Sequence, residues 1–280
     1  MVRTAVAFSP GHISGYFRRI EGGDAATTGS VGAGVVIDEG VRSTVEEAGE
    51  TSVRVLQQGH VSAGSPPIEY ALDRIGVFAR VTTKCRLPIG AGFGLSAAAL
   101  LATLTAANSL FDLGISADGV AAIAHEAEVV HHTGLGDVAA CRGGGVACRK
   151  APGINAEISR FYPEEPVYAV SLGPLPTPSV LTSDETMARV AAAYPGRCPH
   201  DLTDLCGLSR SFAERSGLIA PDVRRVLEAC DAAGIPASMT MLGNGVFAAG
   251  AAAEGVLARF GDVYKLGVAR QGPYLIEVRP

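Results

Sequence analysis

The 280-residue chain has no basic surplus. Its 23 Lys and Arg are outnumbered by 28 Asp and Glu, leaving a net charge of -5. A protein that neutralises a nucleic-acid backbone needs clustered cations, so general nucleic-acid binding is excluded, while a local basic pocket for a small anion is not. Charge of either sign is scarce, at 18% of residues against 48% hydrophobic. Such a chain is globular and can bury a large core. The six cysteines include no C-x-x-C pair, which excludes zinc-ribbon and thioredoxin spacing. No charged segment and long apolar run follow Met1, so no export signal is read. The expectation is a cytoplasmic protein with reduced, buried thiols.

Charge is missing altogether from Leu87 to Phe111, a length that could span a bilayer. Gly90, Gly92 and Gly94 interrupt it just after Pro88. What remains, Ser96 to Leu110, predicts a buried core helix too short to cross a membrane.

The length predicts two closely packed lobes, or one domain with a large extension. The division is placed near 150–176, giving residues 1–160 and 161–280, and Pro174, Pro176 and Pro178 mark a stiff connection there. In the first half, a strand is expected from Thr4 to Ser9, ending at Pro10-Gly11. Val31–Ile37 and Val41–Glu47 read as strands paired across a turn at Asp38-Glu39-Gly40. A helix with Ser116 as N-cap is expected up to His132. In the second half three successive helices (184–194, 201–215, 221–233) precede short, antiparallel strands around one more helix (251–260), so the class is α+β.

The most informative segment is Pro88-Ile89-Gly90-Ala91-Gly92-Phe93-Gly94-Leu95-Ser96. Three alternate glycines let the backbone take conformations closed to other residues and bring main-chain N–H groups near a ligand. A helix starts at once, and its free N–H groups and positive dipole end face the same loop. These features make an anion site suited to a polyphosphate. The same spacing would also serve a plain strand-to-helix turn. It is not a Walker A loop, since no Lys precedes Ser96. It is not a nucleophile elbow, since Ala98 stands where a Gly is needed.

Downstream, His125-Glu126-Ala127-Glu128 leads through Gly134 and Gly136 to Asp137. A zinc-protease helix would need His at 129, where Val129 stands. Phosphoryl transfer needs a cation to neutralise phosphate oxygens and a group to orient or deprotonate the attacking hydroxyl. One carboxylate on a helix and one after a glycine turn could supply both. Read alone, Asp137 could equally be a helix N-cap.

Taken in order, these segments resemble the GHMP kinases. Pro88, Gly92, Gly94, Ser96, Ala97 and Ala98 fall in register with that family's phosphate loop, with Phe93 and Leu95 as departures. Ser9-Pro10-Gly11-His12-Ile13-Ser14-Gly15 resembles its first motif, with His12 in place of the usual Lys. Met241-Leu242-Gly243-Asn244-Gly245 resembles its third, a glycine hairpin. The resemblance implies an N-terminal α+β lobe and a ferredoxin-like C-terminal lobe. It implies that residues 88–96 bind ATP, that Ser96 and Glu128 hold Mg2+ with Glu126 the competitor, and that Asp137 is catalytic. His12, Ser14 and Arg142 are the candidates for holding the acceptor. The first motif is most like the branch acting on pantoate, which would make the product 4-phosphopantoate, on a route to coenzyme A. Mevalonate, homoserine or shikimate are the alternative acceptors, and a non-catalytic nucleotide-binding protein the alternative class. A homodimer is expected from how common such assemblies are.

Overall fold

The structure is a computed structural model that describes residues 3–173 and 184–280. The expected stiff connection at Pro174–Pro178 lies outside the described residues. Strand β1 (Thr4–Ile20) does not stop at Pro10. It continues through two irregularities, at Pro10/Gly11 and Ser14/Tyr16. A bulge tolerates the missing proline N–H and bends the strand. Here the bend carries β1 against the glycine loop. The His12 N–H donates to the Phe93 carbonyl at 2.9 Å. A Cβ on Gly11 would lie 2.7 Å from that same oxygen, so only glycine allows the approach.

The two strands expected to pair across Asp38–Gly40 are one strand, β2 (Gly29–Glu47), and its halves pair with successive halves of β1 rather than with each other. A turn-rich junction signals a change of direction, and here it bends a long strand. The bend sits opposite the Pro10/Gly11 bulge, with Gly40 packed on the Ser9 carbonyl.

The first sheet has eight strands. Its main path is β12 (Tyr274–Arg279), β1, β2, β5 (Ala79–Cys85), β3 (Ser52–Gln57) and β4 (His60–Ala63); β6 (Val146–Arg149) pairs with β2, and β7 (Ile158–Phe161) with β6. Helix α2 (Leu95–Leu110) carries no charge and is buried along most of its length, as expected of a core helix. It lies among α1 (Pro66–Arg74), α3 (Ala117–Val130) and α4 (Asp137–Cys141). Ser116 caps α3 as expected, accepting the Gly119 N–H at 3.1 Å. Among the described residues, no helix is long and apolar enough to cross a membrane.

The second sheet is antiparallel, in the order β11 (Val263–Leu266), β8 (Val167–Ser171), β10 (Gly245–Ala249), β9 (Ala237–Met239). In chain order that is 4-1-3-2, with α5 (Asp184–Ala193), α6 (Leu202–Ser216) and α7 (Pro221–Ala232) between β8 and β9, and α8 (Ala253–Leu257) between β10 and β11. This is the expected ferredoxin-like pattern. The chain then leaves this sheet, and β12 pairs with β1 at the edge of the first one.

The cysteines are not all reduced. Cys148 on β6 is bonded to Cys198, after α5, with Cα atoms 5.7 Å apart; the other four are free and buried. A separation of 50 residues carries no spacing signal, because packing of the two sheets' elements alone brings these two together.

Candidate active site

All three glycines of the loop have left-handed backbones, with φ of 77°, 81° and 61° at Gly90, Gly92 and Gly94. That conformation strains any other residue. It also sorts the segment into two rows: Ala91, Phe93 and Leu95 are buried, while Gly90, Gly92, Gly94 and Ser96 remain accessible. The loop is therefore anchored through its side chains and open along its backbone. Gly94 is the N-cap of α2, and no side chain caps the free N–H groups of the first turn. Free N–H groups at a helix start are suited to an anion.

The third glycine segment reaches this loop. A Cβ on Gly243 would meet the Ala91 carbonyl at 2.2 Å, and Thr240 Oγ1 donates to that carbonyl at 2.8 Å. The Met241 N–H donates to the Ser14 carbonyl at 3.2 Å. Three segments far apart in the chain thus converge on one point.

Glu128 is 1% exposed and aimed at the end of the loop. It accepts hydrogen bonds from Ser96 and from Thr133 Oγ1, the latter at 3.4 Å. Its Oε2 has no partner and sits where a Cβ on Gly134 would lie at 2.3 Å. Burial and then the charge of Asp137 push its carboxyl up to about 8. A buried carboxyl with an orphaned oxygen, beside a serine hydroxyl, fits a magnesium ion. Such an ion takes few protein oxygens and completes its shell with water and phosphate. Among the described residues no cluster of three His, Cys, Asp or Glu offers an all-protein cage. Glu126 takes no part: it accepts from Tyr70 Oη at 2.7 Å and pairs with Arg74 at 3.2 Å on the other side of α3.

Asp137 is the first residue of α4, after the N-cap Gly136, so it is not itself the cap. Its side chain is 22% exposed. Oδ1 accepts from Nδ1 of His12 at 2.6 Å. Burial pushes this carboxyl up, but the hydrogen bond and charge of His12, together with Arg149, outweigh it, and the net shift is downward. Burial lowers the His12 pKa despite Asp137. Asp137 is therefore a carboxylate, and the proton of the hydrogen bond sits on Nδ1 of His12. His12 is wholly buried, so it positions Asp137 and does not face a ligand itself.

Arg142, expected near the acceptor, is held elsewhere. Its Nη1 donates to the Ile154 carbonyl at 2.6 Å, and its Nη2 pairs with Asp118. Asp118 lies ten residues before Glu128 on α3, about 15 Å away along the helix axis. The side chain of Ser14, on β1, makes none of the hydrogen bonds that converge at the site.

Arg149, which the sequence reading passed over, lies beside the turn that carries Asp137. It is 2% exposed on β6, and its Nε and Nη1 have no hydrogen-bond partner. A Cβ on Gly136 would lie 2.6 Å from its Nε, so the guanidinium packs directly on the turn that presents Asp137. Burial lowers its pKa and Asp137 opposes this. A buried guanidinium with two unpartnered nitrogens has the chemistry to pair with a carboxylate in fork geometry. The signal available in the sequence was an arginine directly after the apolar run Val146–Cys148, at the end of a predicted strand.

An open glycine loop on a helix start, a carboxyl paired with Ser96, and an ionised aspartate across the gap define a kinase of small molecules. A family model for the GHMP kinases N terminal domain matches residues 67–145. The chain is 46% identical to the pantoate kinase of Methanospirillum hungatei over 96% of both chains. It is 31% identical to that of Thermococcus kodakarensis over 86% of both. The chain belongs to the GHMP kinases. A solved phosphotransferase related to the CoA biosynthesis pathway shares the fold with a TM-score of 0.81 at 24% identity, covering 97% of this chain and 98% of that one.

Proposed function

We propose that this chain transfers the γ-phosphoryl group of ATP to the primary hydroxyl of pantoate, giving 4-phosphopantoate and ADP, with Asp137 as the group that receives the hydroxyl proton. The backbone N–H groups of residues 90–96 cradle the phosphates. Ser96 and Glu128 hold a magnesium ion, which supplies charge neutralisation at the phosphate oxygens. Binding that ion requires Glu128 to lose its proton, so the raised pKa makes metal and proton competitors there.

The acceptor's hydroxyl donates to Asp137, its oxygen attacks the γ-phosphorus, and the bond from that phosphorus to the bridging oxygen of ADP breaks. His12 keeps Asp137 ionised and fixed in direction. The acceptor's carboxylate pairs with Arg149. The observation that carries the chemistry is the convergence of the open loop, Glu128 and an ionised Asp137 at one point. The choice of pantoate is supported by the names of the relatives along nearly the full chain and by a buried fork for an acid. Coupled ADP release with pantoate, mevalonate, homoserine and shikimate tests it. Turnover with pantoate at the highest kcat/KM is expected, and preference for any of the other three would overturn the choice.

A further inference from the structure

Arg149 lines a cavity of about 520 Å³, within the usual range for small-molecule sites. One wall is the first sheet, at Arg18 of β1, Val31 of β2 and the end of β6 from Cys148 to Lys150; the other is Ala191 of α5 and the segment after it, from Tyr194 to Cys198. The Cys148–Cys198 bond ties the two walls together. No acidic side chain lines the cavity, although the chain as a whole carries a charge of -5.

Four of its residues are cationic: Arg18, Arg149, Lys150 and Arg197. Two of them have carboxylate partners outside it. Arg197 forks onto Asp204 with both bonds at 2.6 Å, and Lys150 lies 3.7 Å from Glu157. Arg149 at the buried end keeps two nitrogens unpartnered. Arg18 at the exposed end stacks on Tyr194, with Cζ 5.0 Å from the ring centroid, and no carboxylate among the described residues pairs with it. The cavity therefore holds two guanidinium groups without an ion pair among the described residues, Arg149 deep, where the charge of Asp137 acts on it, and Arg18 at the mouth. Walls of low dielectric focus such a field and raise the capture rate of anions by roughly 10- to 1,000-fold.

We infer that this cavity is the entrance for the acceptor, and that Arg18 is a specificity residue that captures the acceptor's carboxylate before Arg149 holds it. The inference rests on the reading that the acceptor is a hydroxy acid. An uncharged alcohol gains nothing from Arg18, so the entrance discriminates by charge before the catalytic groups are reached. The stack on Tyr194 holds the guanidinium plane in place while leaving its N–H edge free.

Initial-rate kinetics on the full chain test this, with pantoate and ATP varied separately at low and near-physiological salt. In Arg18→Glu, kcat/KM for pantoate should fall about tenfold or more at low salt, by the size of such steering effects. The loss should narrow as salt screens the field. KM for ATP should hold, kcat should change far less than KM for pantoate, and Arg18→Lys should stay near the wild type. An Arg18→Glu protein with the wild-type kcat/KM for pantoate overturns the inference. So does an equal loss in Arg18→Lys, or a rise in KM for ATP as large as that for pantoate. If the wild type turns over another hydroxy acid and not pantoate, the acceptor reading falls and the same comparison is made with that acid. Turnover of no hydroxy acid overturns both.

Discussion

Nδ1 of His12 on β1 and Oδ1 of Asp137 at the start of α4 lie 2.6 Å apart, although 125 residues separate them in the chain. Removing the imidazole should let the Asp137 pKa rise, because its hydrogen bond and charge are what overcome burial. In His12→Ala the acid limb of the kcat profile should move to higher pH, and kcat should fall. A purely structural role would lower kcat without moving the limb. Asp137→Asn should lose about 10²- to 10⁴-fold in kcat, the usual scale for a general base, and keep ATP binding within a few-fold, as equilibrium dialysis would report.

Glu128 predicts an unusual stability profile. Burial and the neighbouring Asp137 push its carboxyl up to about 8 in the folded ligand-free protein, against an ordinary value of 4.5. Between those two values the folded state holds a proton that the unfolded state has released, so stability falls as pH rises through that window. Glu128→Gln should raise the melting temperature of the ligand-free protein at pH 9 while abolishing turnover. A melting temperature lowered by that substitution would contradict the assignment.

Gly92 combines a φ of 81° with a Cβ position only 2.9 Å from the Met241 carbonyl oxygen. Alanine there should cost about 1–2 kcal/mol of backbone strain, with a further penalty from the contact. The expected result is a lower melting temperature and a KM for ATP raised about tenfold, the equivalent of 1.4 kcal/mol. KM for pantoate should change less. Equal effects on the two substrates would argue against a loop dedicated to phosphate.

Arg149→Met replaces a buried cation by an apolar chain of similar length. Removing a buried charge without leaving a partner stranded is often neutral for stability. The melting temperature should therefore hold or rise, while KM for pantoate increases about 100-fold, in line with losing a charge-assisted bond worth up to about 3 kcal/mol. Unchanged KM for pantoate would remove Arg149 from the acceptor site.

The Cys148–Cys198 bond closes a loop of 50 residues. Its loss should lower stability by about 2–4 kcal/mol, the typical range for such a cross-link. Denaturant midpoints should fall on treatment with a phosphine reductant and fall equally in Cys198→Ser. The reductant should then have no effect on that variant.

Residues 88–98 were legible in the sequence because the constraint there is local. Alternate glycines, a proline before them and an apolar helix after them dictate a bent, open loop whatever packs around it. The capping of α3 by Ser116 and the order of elements in the second lobe were legible for the same reason, since hydroxyl caps and hydrophobic period act over a few residues. The pairing of β1 and β2 was not. Pro10-Gly11 and Asp38–Gly40 have the composition of turns, and only the opposing strand reveals that each is a bulge in a continuous ladder.

What only the tertiary structure decided is which charges are unpaired. Arg142 and Arg149 are both plausible anion ligands in the sequence, seven residues apart. Asp118 and the Ile154 carbonyl occupy the first, while burial against Gly136 leaves the second with open donors. Likewise His12 became a partner of Asp137, and Cys148 of Cys198, through contacts across the sheets. The sequence by itself determined a phosphate-binding loop, because backbone conformation is set by near neighbours. The acceptor side and its electrostatics had to wait for the fold, because the energy of a charge depends on what surrounds it in space.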